Sequence, residues 1–290
     1  MPENTDILND TIEKLADEAS YRQLLHVCRD EAALPSGRVL REIVDLCRAV
    51  LFPGYYGGTR VSALTIRYHT GVNIHTLHTL LSQQLFAGLC FADDAGASGT
   101  ADEIMARAEQ LSETFIATLP QIREISATDA KAIFDGDPAA QNMDEVIFCY
   151  PGFRAITSYR IARQLHLQGV PFIPRIITEM AHSETGIDIH PGAQIGHHFS
   201  IDHGTGTVIG ETSIIGNYVR LYLGVSLEGA RLPSGENSLI RGVPRHPILE
   251  DYVTVYSNVT LSGRIRIGKG ATIGGNVWVT KDVPPGEKVN

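Results

Sequence analysis

The sequence is short of positive charge and of cysteine, and each shortage excludes a class of protein. Lys and Arg number 24 against 33 Asp and Glu, which gives a net charge of −9. A nucleic acid or an anionic membrane requires a basic surface, so small metabolites are the expected ligands. The four cysteines lie far apart without CxxC spacing, which predicts free, buried thiols in a reducing cytosol: Cys28, Cys47, Cys90 and Cys149.

Long apolar runs are also missing. No run approaches the about 18 residues that a membrane-spanning helix needs, and residues 1–17 are acidic and polar. We therefore expect no signal peptide, no membrane span and a cytoplasmic location. With 290 residues, 43% of them hydrophobic and 20% charged, the chain can bury a large core and form two structural units.

The last third of the chain has an aliphatic residue at every sixth position. These residues form two blocks: Ile209, Ile215, Leu221 and Leu227, then Val255, Leu261, Ile267, Ile273 and Val279. A helix repeats every 3.6 residues and a strand every 2, so a period of six predicts a solenoid of stacked short strands. The unit resembles the hexapeptide repeat of the left-handed parallel β-helix, in which three units form one triangular coil. That resemblance implies an acyltransferase, with a purely structural solenoid as the alternative.

The first part of the chain has helical periodicity instead. Predicted helices cover 37–51, 61–90, 102–119 and 155–167, with Pro and Gly at the breaks between them. We predict an α+β protein in which an all-α domain, residues 1–186, packs subunits together and contributes its end to the site. A left-handed parallel β-helix of hexapeptide repeats follows at residues 187–290.

Two departures interrupt the six-residue register, and both contain a histidine. The step from Ile201 to Ile209 is eight residues, with the two extra ones inside 202–206. The second departure is an excursion at 230–247, rich in Gly, Pro and charge. A repeat that is built by stacking has no reason to slip unless something is gained, so we predict the functional site at these two places.

His203 and His246 are the candidate catalytic residues at these departures. His203 follows Asp202 in a turn flanked by glycine, and His246 ends the excursion. Asp188 precedes His203 by 15 residues, close to the roughly 18 of one coil, which predicts neighbouring coils on the same side. A carboxylate in that position can orient an imidazole and stabilise its protonated form, as a general base requires.

Several segments in this order resemble serine O-acetyltransferases. In the solenoid they are Asp188-Ile189-His190-Pro191, Asp202-His203-Gly204-Thr205-Gly206, Val208-Ile209-Gly210-Glu211-Thr212 and Arg245-His246-Pro247. Upstream they are Asp137-Pro138-Ala139, Gly152-Phe153 and Ser158-Tyr159-Arg160-Ile161. The resemblance covers about residues 135–283, and residues 1–130 match only in being helical and acidic.

The resemblance implies a reaction and its catalytic groups. In that family the hydroxyl of L-serine attacks the thioester of acetyl-coenzyme A and gives O-acetylserine, the precursor of cysteine. His203 would be the general base, Asp188 would orient it, and His246 would assist near the serine hydroxyl or the developing oxyanion. The family needs no metal and forms no covalent enzyme intermediate.

Substrate contacts follow from the same resemblance. Arg245 would hold the serine carboxylate through its planar fork of donors, and Asp137 and Asp202 would pair with the serine ammonium. Contacts with acetyl-coenzyme A carry over to three positions: Gly229, Gly235 and Ser257. The sequence departs from the family pattern at 226–229, at 255–259 and in a longer loop at 231–243.

The resemblance also implies protein partners. Triangular coils leave flat faces with apolar edges, so we predict at least a homotrimer, with the helical halves joining two trimers into a hexamer. The chain ends at Asn290 without the long C-terminal tail that inserts into O-acetylserine sulfhydrylase in the family. We therefore do not expect that complex.

Other functions stay open on the residues alone. A hexapeptide acetyltransferase for another hydroxyl or amine, on a sugar or antibiotic, would keep His203 but would not need Arg245 with Asp137. A solenoid carbonic anhydrase would bind zinc through three histidines, drawn here from His197, His198, His203 and His246. We predict that the 197–198 pair faces solvent instead. A non-catalytic scaffold would tolerate the loss of His203.

Overall fold

The computed structural model describes residues 4–26, 34–58, 60–92, 99–230 and 242–290. Helices fill this part of the chain up to Thr185: α1 Asn4–Ala16, α2 Glu18–Tyr21, α3 Gly37–Leu51, α4 Ile66–Ala92, α5 Ala101–Ala117, α6 Leu119–Gly136, α7 Met143–Cys149, α8 Pro151–Leu167 and α9 Ile173–Thr185. The predicted helix 37–51 coincides with α3, whereas the one predicted from residue 61 begins only at Ile66.

Local sequence explains where these helices begin. The Ser36 side chain accepts a hydrogen bond from the Val39 amide at the start of α3, and Thr100 and Glu103 form a reciprocal capping box on α5. The apolar stripe of α3, which includes Leu40, Ile43 and Cys47, is fully buried. These caps and stripes account for the agreement between the periodicity and the observed helices.

The rest of the chain is a left-handed parallel β-helix with three faces. The first face holds β1 Asp188–Ile189, β4 Val208–Ile209, β7 Ser226–Glu228, β10 Thr260–Ser262 and β13 Trp278–Val279. The second holds β2 Gln194–Ile195, β5 Ile214–Ile215, β8 Ile248–Leu249 and β11 Arg266–Ile267. The third holds β3 Ser200–Asp202, β6 Arg220–Tyr222, β9 Thr254–Val255, β12 Thr272–Ile273 and β14 Lys288–Val289.

The strand register follows the aliphatic residues that define the period. Ile209 pairs with Leu227 and Leu261 pairs with Val279, so each coil stacks its buried aliphatic side chains on those of the next. The regular coil restarts after the excursion at Leu249, which pairs with Ile215 and Ile267. This restart lies one unit before Val255, the first residue of the second aliphatic block.

Helix α8 packs directly on the first coil of the solenoid. The Tyr159 hydroxyl donates to the Ala193 carbonyl at 2.6 Å, and Arg160 Nη1 donates to the Ile195 carbonyl at 2.7 Å. The same guanidinium forms a buried bidentate ion pair with Asp129 of α6, at 3.0 and 3.1 Å. Because one guanidinium satisfies both a helical carboxylate and a solenoid carbonyl, the two parts are held in a fixed orientation.

The domain division remains a prediction. Helices end at Thr185 and strands begin at Asp188, but one cluster of buried hydrophobic residues runs through both parts. Of the excursion, residues 231–241 lie outside the described residues, and its base closes where the Ala230 amide donates to the Arg245 carbonyl at 3.0 Å.

The cysteines agree with the prediction only in part. The thiols of Cys47 and Cys90 are buried, but the thiol of Cys149, at the end of the short helix α7, is exposed. Cys28 lies outside the described residues. Among the described helices, none combines the length and the apolar character required to cross a membrane.

Candidate active site

The two departures from the six-residue register lie at different corners of the triangular solenoid. His203 lies between β3 and β4, where the third face meets the first, and His246 lies between β7 and β8, where the first face meets the second. We call these corners the His203 edge and the His246 edge. They flank the first face on its two sides.

The turn at the His203 edge presents an exposed imidazole. His203 has a φ of 56°, the left-handed region that non-glycine residues seldom occupy, and Gly204 follows with a φ of 83°. A Cβ on Gly204 would lie 2.4 Å from Ile187 Cδ1, so only glycine fits against the first coil. The His203 side chain is 78% exposed, and its Nε2 lies 3.8 Å from Asp202 Oδ1. This geometry leaves the imidazole accessible beside a carboxylate.

A second carboxylate, Asp137, reaches the same edge from the C-terminal end of α6. Its Oδ1 accepts the Ala139 amide at 2.8 Å, and its Oδ2 accepts the Tyr150 hydroxyl at 2.6 Å. The Tyr150 hydrogen bond is the main cause of a lowered pKa of Asp137, to which nearby His203 also contributes. The same bond raises the pKa of Tyr150 to about 12, so the phenol stays protonated and donates. Asp137 is therefore an oriented anion beside the imidazole.

Asp188 begins β1 at this edge, and its amide donates to the Thr207 carbonyl at 2.9 Å, one residue after the turn that contains His203. The backbone therefore places Asp188 on the coil next to the turn that contains His203. Its carboxylate, however, pairs with Arg175 of α9, Nη1 to Oδ1 at 3.3 Å. The orientation of His203 by Asp188 remains a prediction, since the ion pair of His203 in this chain is with Asp202.

The His246 edge presents a buried imidazole. His246 is only 6% exposed, and its Nδ1 lies 3.1 Å from the Thr212 amide and 2.8 Å from the Thr212 hydroxyl. Burial first, and then the guanidinium of Arg245, lower the pKa of His246 to about 4. A Cβ on Gly210 would lie 2.1 Å from His246 Nε2, so the ring occupies space that only glycine leaves open. This histidine is neutral at physiological pH.

Arg245 lies beside His246 and faces Glu211, with Nη1 3.7 Å from Glu211 Oε2. Gly229, one of the predicted coenzyme A contacts, lies against its stem, because a Cβ there would be 2.8 Å from Arg245 Nε. Ser257 is half-buried in the turn after β9, and Gly235 lies outside the described residues.

The structure thus brings the predicted site residues together as two sets. Asp137, Asp202 and His203 meet at one edge, and Arg245 and His246 meet at the other. A single chain does not place both sets around one small ligand, because the first face of the solenoid lies between them.

The histidines of the zinc alternative do not form one cluster within the described residues of a chain. His197 and His198 contact each other, Nδ1 to Nδ1 at 2.7 Å, and His198 stacks on Tyr218. His197 is exposed and His198 is half-buried, so the pair faces solvent only in part. The one group in the described part that could share an ion is Glu179, His182 and Asp188. Arg175 already pairs with both of its carboxylates.

Three residues at these edges had no role in the sequence analysis. They are Tyr150, Thr212 and Arg264, and all act through hydrogen bonds over long sequence separations. Arg264 Nη1 donates to the carbonyls of Thr212 and His246, at 2.7 and 2.8 Å. Thr212 belongs to the Gly-Glu-Thr segment that resembles the family, which is the only indication the sequence offers.

The hexapeptide solenoid with histidines at its two departures defines the protein as an acyltransferase. No protein-family model matches the chain. A serine acetyltransferase encoded on a plasmid of Synechococcus elongatus is 42% identical over 286 residues, which cover 97% of this chain and 90% of that one. The chain therefore belongs to the serine acetyltransferase family.

Solved structures agree with this assignment. Serine acetyltransferase 1 of Entamoeba histolytica, in complex with L-cysteine, superposes with a TM-score of 0.74 at 32% identity, over 98% of this chain and 99% of that one. The Neisseria gonorrhoeae enzyme, in complex with serine, gives a TM-score of 0.55 at 25% identity, over 90% and 96%. The helical half and the solenoid are thus both part of the shared fold.

Proposed function

We propose that this acyltransferase transfers the acetyl group of acetyl-coenzyme A to L-serine in a site completed between neighbouring subunits. Its activity, the O-acetylation of serine for cysteine biosynthesis, requires a base, a carboxylate clamp and an ammonium site around one small molecule. The observation that supports a shared site is the position of His203 and His246 on different edges of one solenoid. In a closed trimer the His203 edge of one subunit faces the His246 edge of the next.

In the proposed reaction the imidazole of His203 removes the proton of the serine hydroxyl. The hydroxyl oxygen forms a bond to the acetyl carbonyl carbon, the carbon–sulfur bond breaks, and the coenzyme A thiolate takes the proton back from the imidazolium. The exposure of His203 and its neighbouring carboxylates favour a histidine that accepts and releases a proton. Asp188 would orient this ring once the interface has formed.

The charged groups that bind serine would come from both edges, the carboxylates from the His203 edge and the guanidinium from the His246 edge. Asp137 and Asp202 are the acidic groups nearest His203 and would pair with the serine ammonium. Arg245, with Glu211 at 3.7 Å, would hold the serine carboxylate as a bidentate partner. Holding both ends of the amino acid aims its hydroxyl at the base and leaves its amine bound, which favours the ester over the amide.

The donor would lie along the His246 edge and the coils that follow it. Gly229 lies against Arg245, whose side chain occupies the space that a Cβ at Gly229 would fill, so the two residues would border the donor together. Ser257 and Gly235 complete the proposed coenzyme A contacts. His246 would act on the serine hydroxyl or the oxyanion of the tetrahedral intermediate.

A thiol-release assay with acetyl-coenzyme A tests the acceptor. We expect turnover with L-serine, little with homoserine, and none with sugars or simple amines. L-Cysteine should compete with L-serine, because it has the same carboxylate and ammonium. Faster turnover with a sugar or amine would instead support a hexapeptide acetyltransferase with another acceptor.

Mixing two inactive variants tests the shared site. His203→Ala and His246→Ala trimers should each be inactive, and subunit exchange between them should restore part of the activity, because some interfaces then combine two intact edges. Native mass spectrometry establishes that mixed trimers form. Mixed trimers without recovered activity, or a monomer by light scattering at micromolar concentration, would exclude the shared site.

A second contact in the proposed assembly would join two trimers. Apolar side chains of α1 are exposed, including Leu8, Ile12 and Leu15. An apolar stripe of this kind supports a contact that joins two trimers through their helical halves. We expect a hexamer that dissociates to trimers when residues 1–17 are deleted, measured by the same light-scattering experiment.

A further inference from the structure

We propose that Thr212 is a positioning residue that holds His246 as the neutral imidazole with its proton on Nε2. His246 then acts only as a hydrogen-bond donor and not as a second base. This inference rests on the proposed function for what the donor contacts, but the protonation state itself follows from the geometry of Thr212 and His246.

The Thr212 hydroxyl has both of its acceptor positions occupied. It accepts the Arg245 amide at 2.8 Å and the His246 amide at 3.1 Å. A hydroxyl has two lone pairs and one proton, so these two amides leave only the proton for a further partner. The remaining neighbour is His246 Nδ1 at 2.8 Å. The hydroxyl therefore donates to Nδ1.

The Thr212 amide points at the same nitrogen. Its N–H, which can only donate, lies 3.1 Å from His246 Nδ1. Nδ1 thus accepts two hydrogen bonds from Thr212, so it cannot also carry a proton. In a neutral imidazole the proton must then be on Nε2, and an imidazolium would lose both hydrogen bonds.

Two further contacts hold this arrangement in place. Arg264 Nη1 bridges the carbonyls of Thr212 and His246 from the following coil, so the two residues keep a fixed separation. On the opposite side of the ring, Nε2 and Cδ2 lie against Gly210, in the space that a Cβ would fill. The proton on Nε2 is therefore the hydrogen-bond donor that the ring retains.

The charged groups around His246 are mixed. Arg245 and Arg264 disfavour a positive imidazole, as does His190 when protonated, whereas Glu211 favours it. The lowered pKa of His246 agrees with the two donors at Nδ1, with burial as its largest cause. The neutral donor can stabilise a developing oxyanion without competing with His203 for the serine proton.

Histidine labelled with ¹⁵N in the complete, assembled enzyme tests this inference by NMR. The chemical shifts and ring couplings of His246 should show Nδ1 unprotonated and Nε2 protonated from pH 8 down to about 5. His246→Gln identifies the signal by its loss. The measurement needs no turnover, so its failure is distinguishable from failure of the acetyl-transfer assay.

Two substitutions at Thr212 separate the hydroxyl from the shape of the side chain. Thr212→Val keeps the shape and the amide but loses the hydroxyl donor, so we expect the pKa of His246 to rise toward its ordinary value. Thr212→Ser restores the hydroxyl and should restore the low pKa. Thr272→Val, the same change on the outer face of β12, should leave the His246 signal unchanged.

Either of two results would overturn the inference. One is an Nδ1-protonated ring in the unchanged enzyme at pH 7. The other is a His246 titration that is the same in Thr212→Val and Thr212→Ser. If Thr212→Val does not fold, the Nδ1 and Nε2 signals of the unchanged enzyme and of Thr212→Ser still decide the question.

Discussion

The two edges of the solenoid use the same side chain in opposite environments. At one edge, His203 is 78% exposed on a left-handed backbone turn, with Asp202 at 3.8 Å. At the other edge, His246 is 6% exposed, and its Nδ1 faces two donors of Thr212. From this difference we predict that the surroundings of each imidazole, more than its presence in a motif, decide which of the two takes part in proton transfer.

The strongest test of this comparison is His203→Ala. We expect turnover to fall by roughly 10²–10⁴ while acetyl-coenzyme A binding is nearly unchanged, because a general base is lost and no donor contact is removed. Steady-state kinetics at saturating acetyl-coenzyme A and calorimetric binding of the donor measure the two effects. His75→Ala, an exposed histidine on α4, is the matched control. Near-normal turnover in His203→Ala would mean that the base is another residue.

Gly210→Ala changes the other edge without altering a polar group. The new Cβ would overlap the His246 ring at 2.0 Å from Cδ2, and the ring must move away from its donors. A misplacement of this size costs about 10²-fold in turnover when the group must meet a transition state. Gly71→Ala, on α4 with open space around it, should leave turnover unchanged. Equal activity in both variants would show that the position of His246 does not matter.

Tyr150→Phe affects the anion that neighbours the base. Loss of the 2.6 Å hydrogen bond leaves Asp137 less firmly oriented and raises its pKa. We expect the KM for serine to rise several-fold with a smaller change in kcat, because the proposed role of Asp137 is in binding. Tyr55→Phe, which removes a similar hydrogen bond to Asp144 on the surface, is the control. A loss confined to kcat would place Tyr150 in the chemistry instead.

The smallest expected effect is on how the stability of the folded protein depends on pH. The pKa of His246 is lowered from 6.5 to about 4, so the unfolded chain takes up a proton that the folded protein resists. Stability should therefore be lost as pH falls from about 6.5 to about 4. In His246→Gln this loss should be smaller, measured by denaturant midpoints at one fixed subunit concentration. Parallel curves for the two proteins would show that the His246 environment is not the cause.

The period of six was enough to predict the three faces and the buried aliphatic residues. It was also enough to locate both histidines, because each lies where the register slips. The predicted excursion ended at residue 247 and the second aliphatic block was predicted only from Val255, whereas the regular coil restarts between them, in β8, where Leu249 pairs with Ile215 and Ile267.

The contacts of the site were harder to predict for a physical reason. Thr212 and His246 are 34 residues apart, with the excursion between them, and their contact depends on how coils stack across that gap. Arg175 lies on α9, and its ion pair with Asp188 depends on the angle between this helix and the first coil. Neither the helical period of 3.6 residues nor the solenoid period of six determines that angle. Hydrogen bonds of this kind follow from tertiary packing and not from local spacing.

A stack of parallel strands has a free edge at each end, open to strands from another molecule. In the first coil, the carbonyls of Ala193 and Ile195 have no preceding coil to donate hydrogen bonds to them, and the side chains of Tyr159 and Arg160 on α8 donate to them instead. A bulky residue in place of Gly152, which lets α8 approach the Ile201 carbonyl, would pull the helix off this edge. The first coil would then expose these carbonyls as an unpaired strand edge, so α8 acts as the cover of one end of the solenoid.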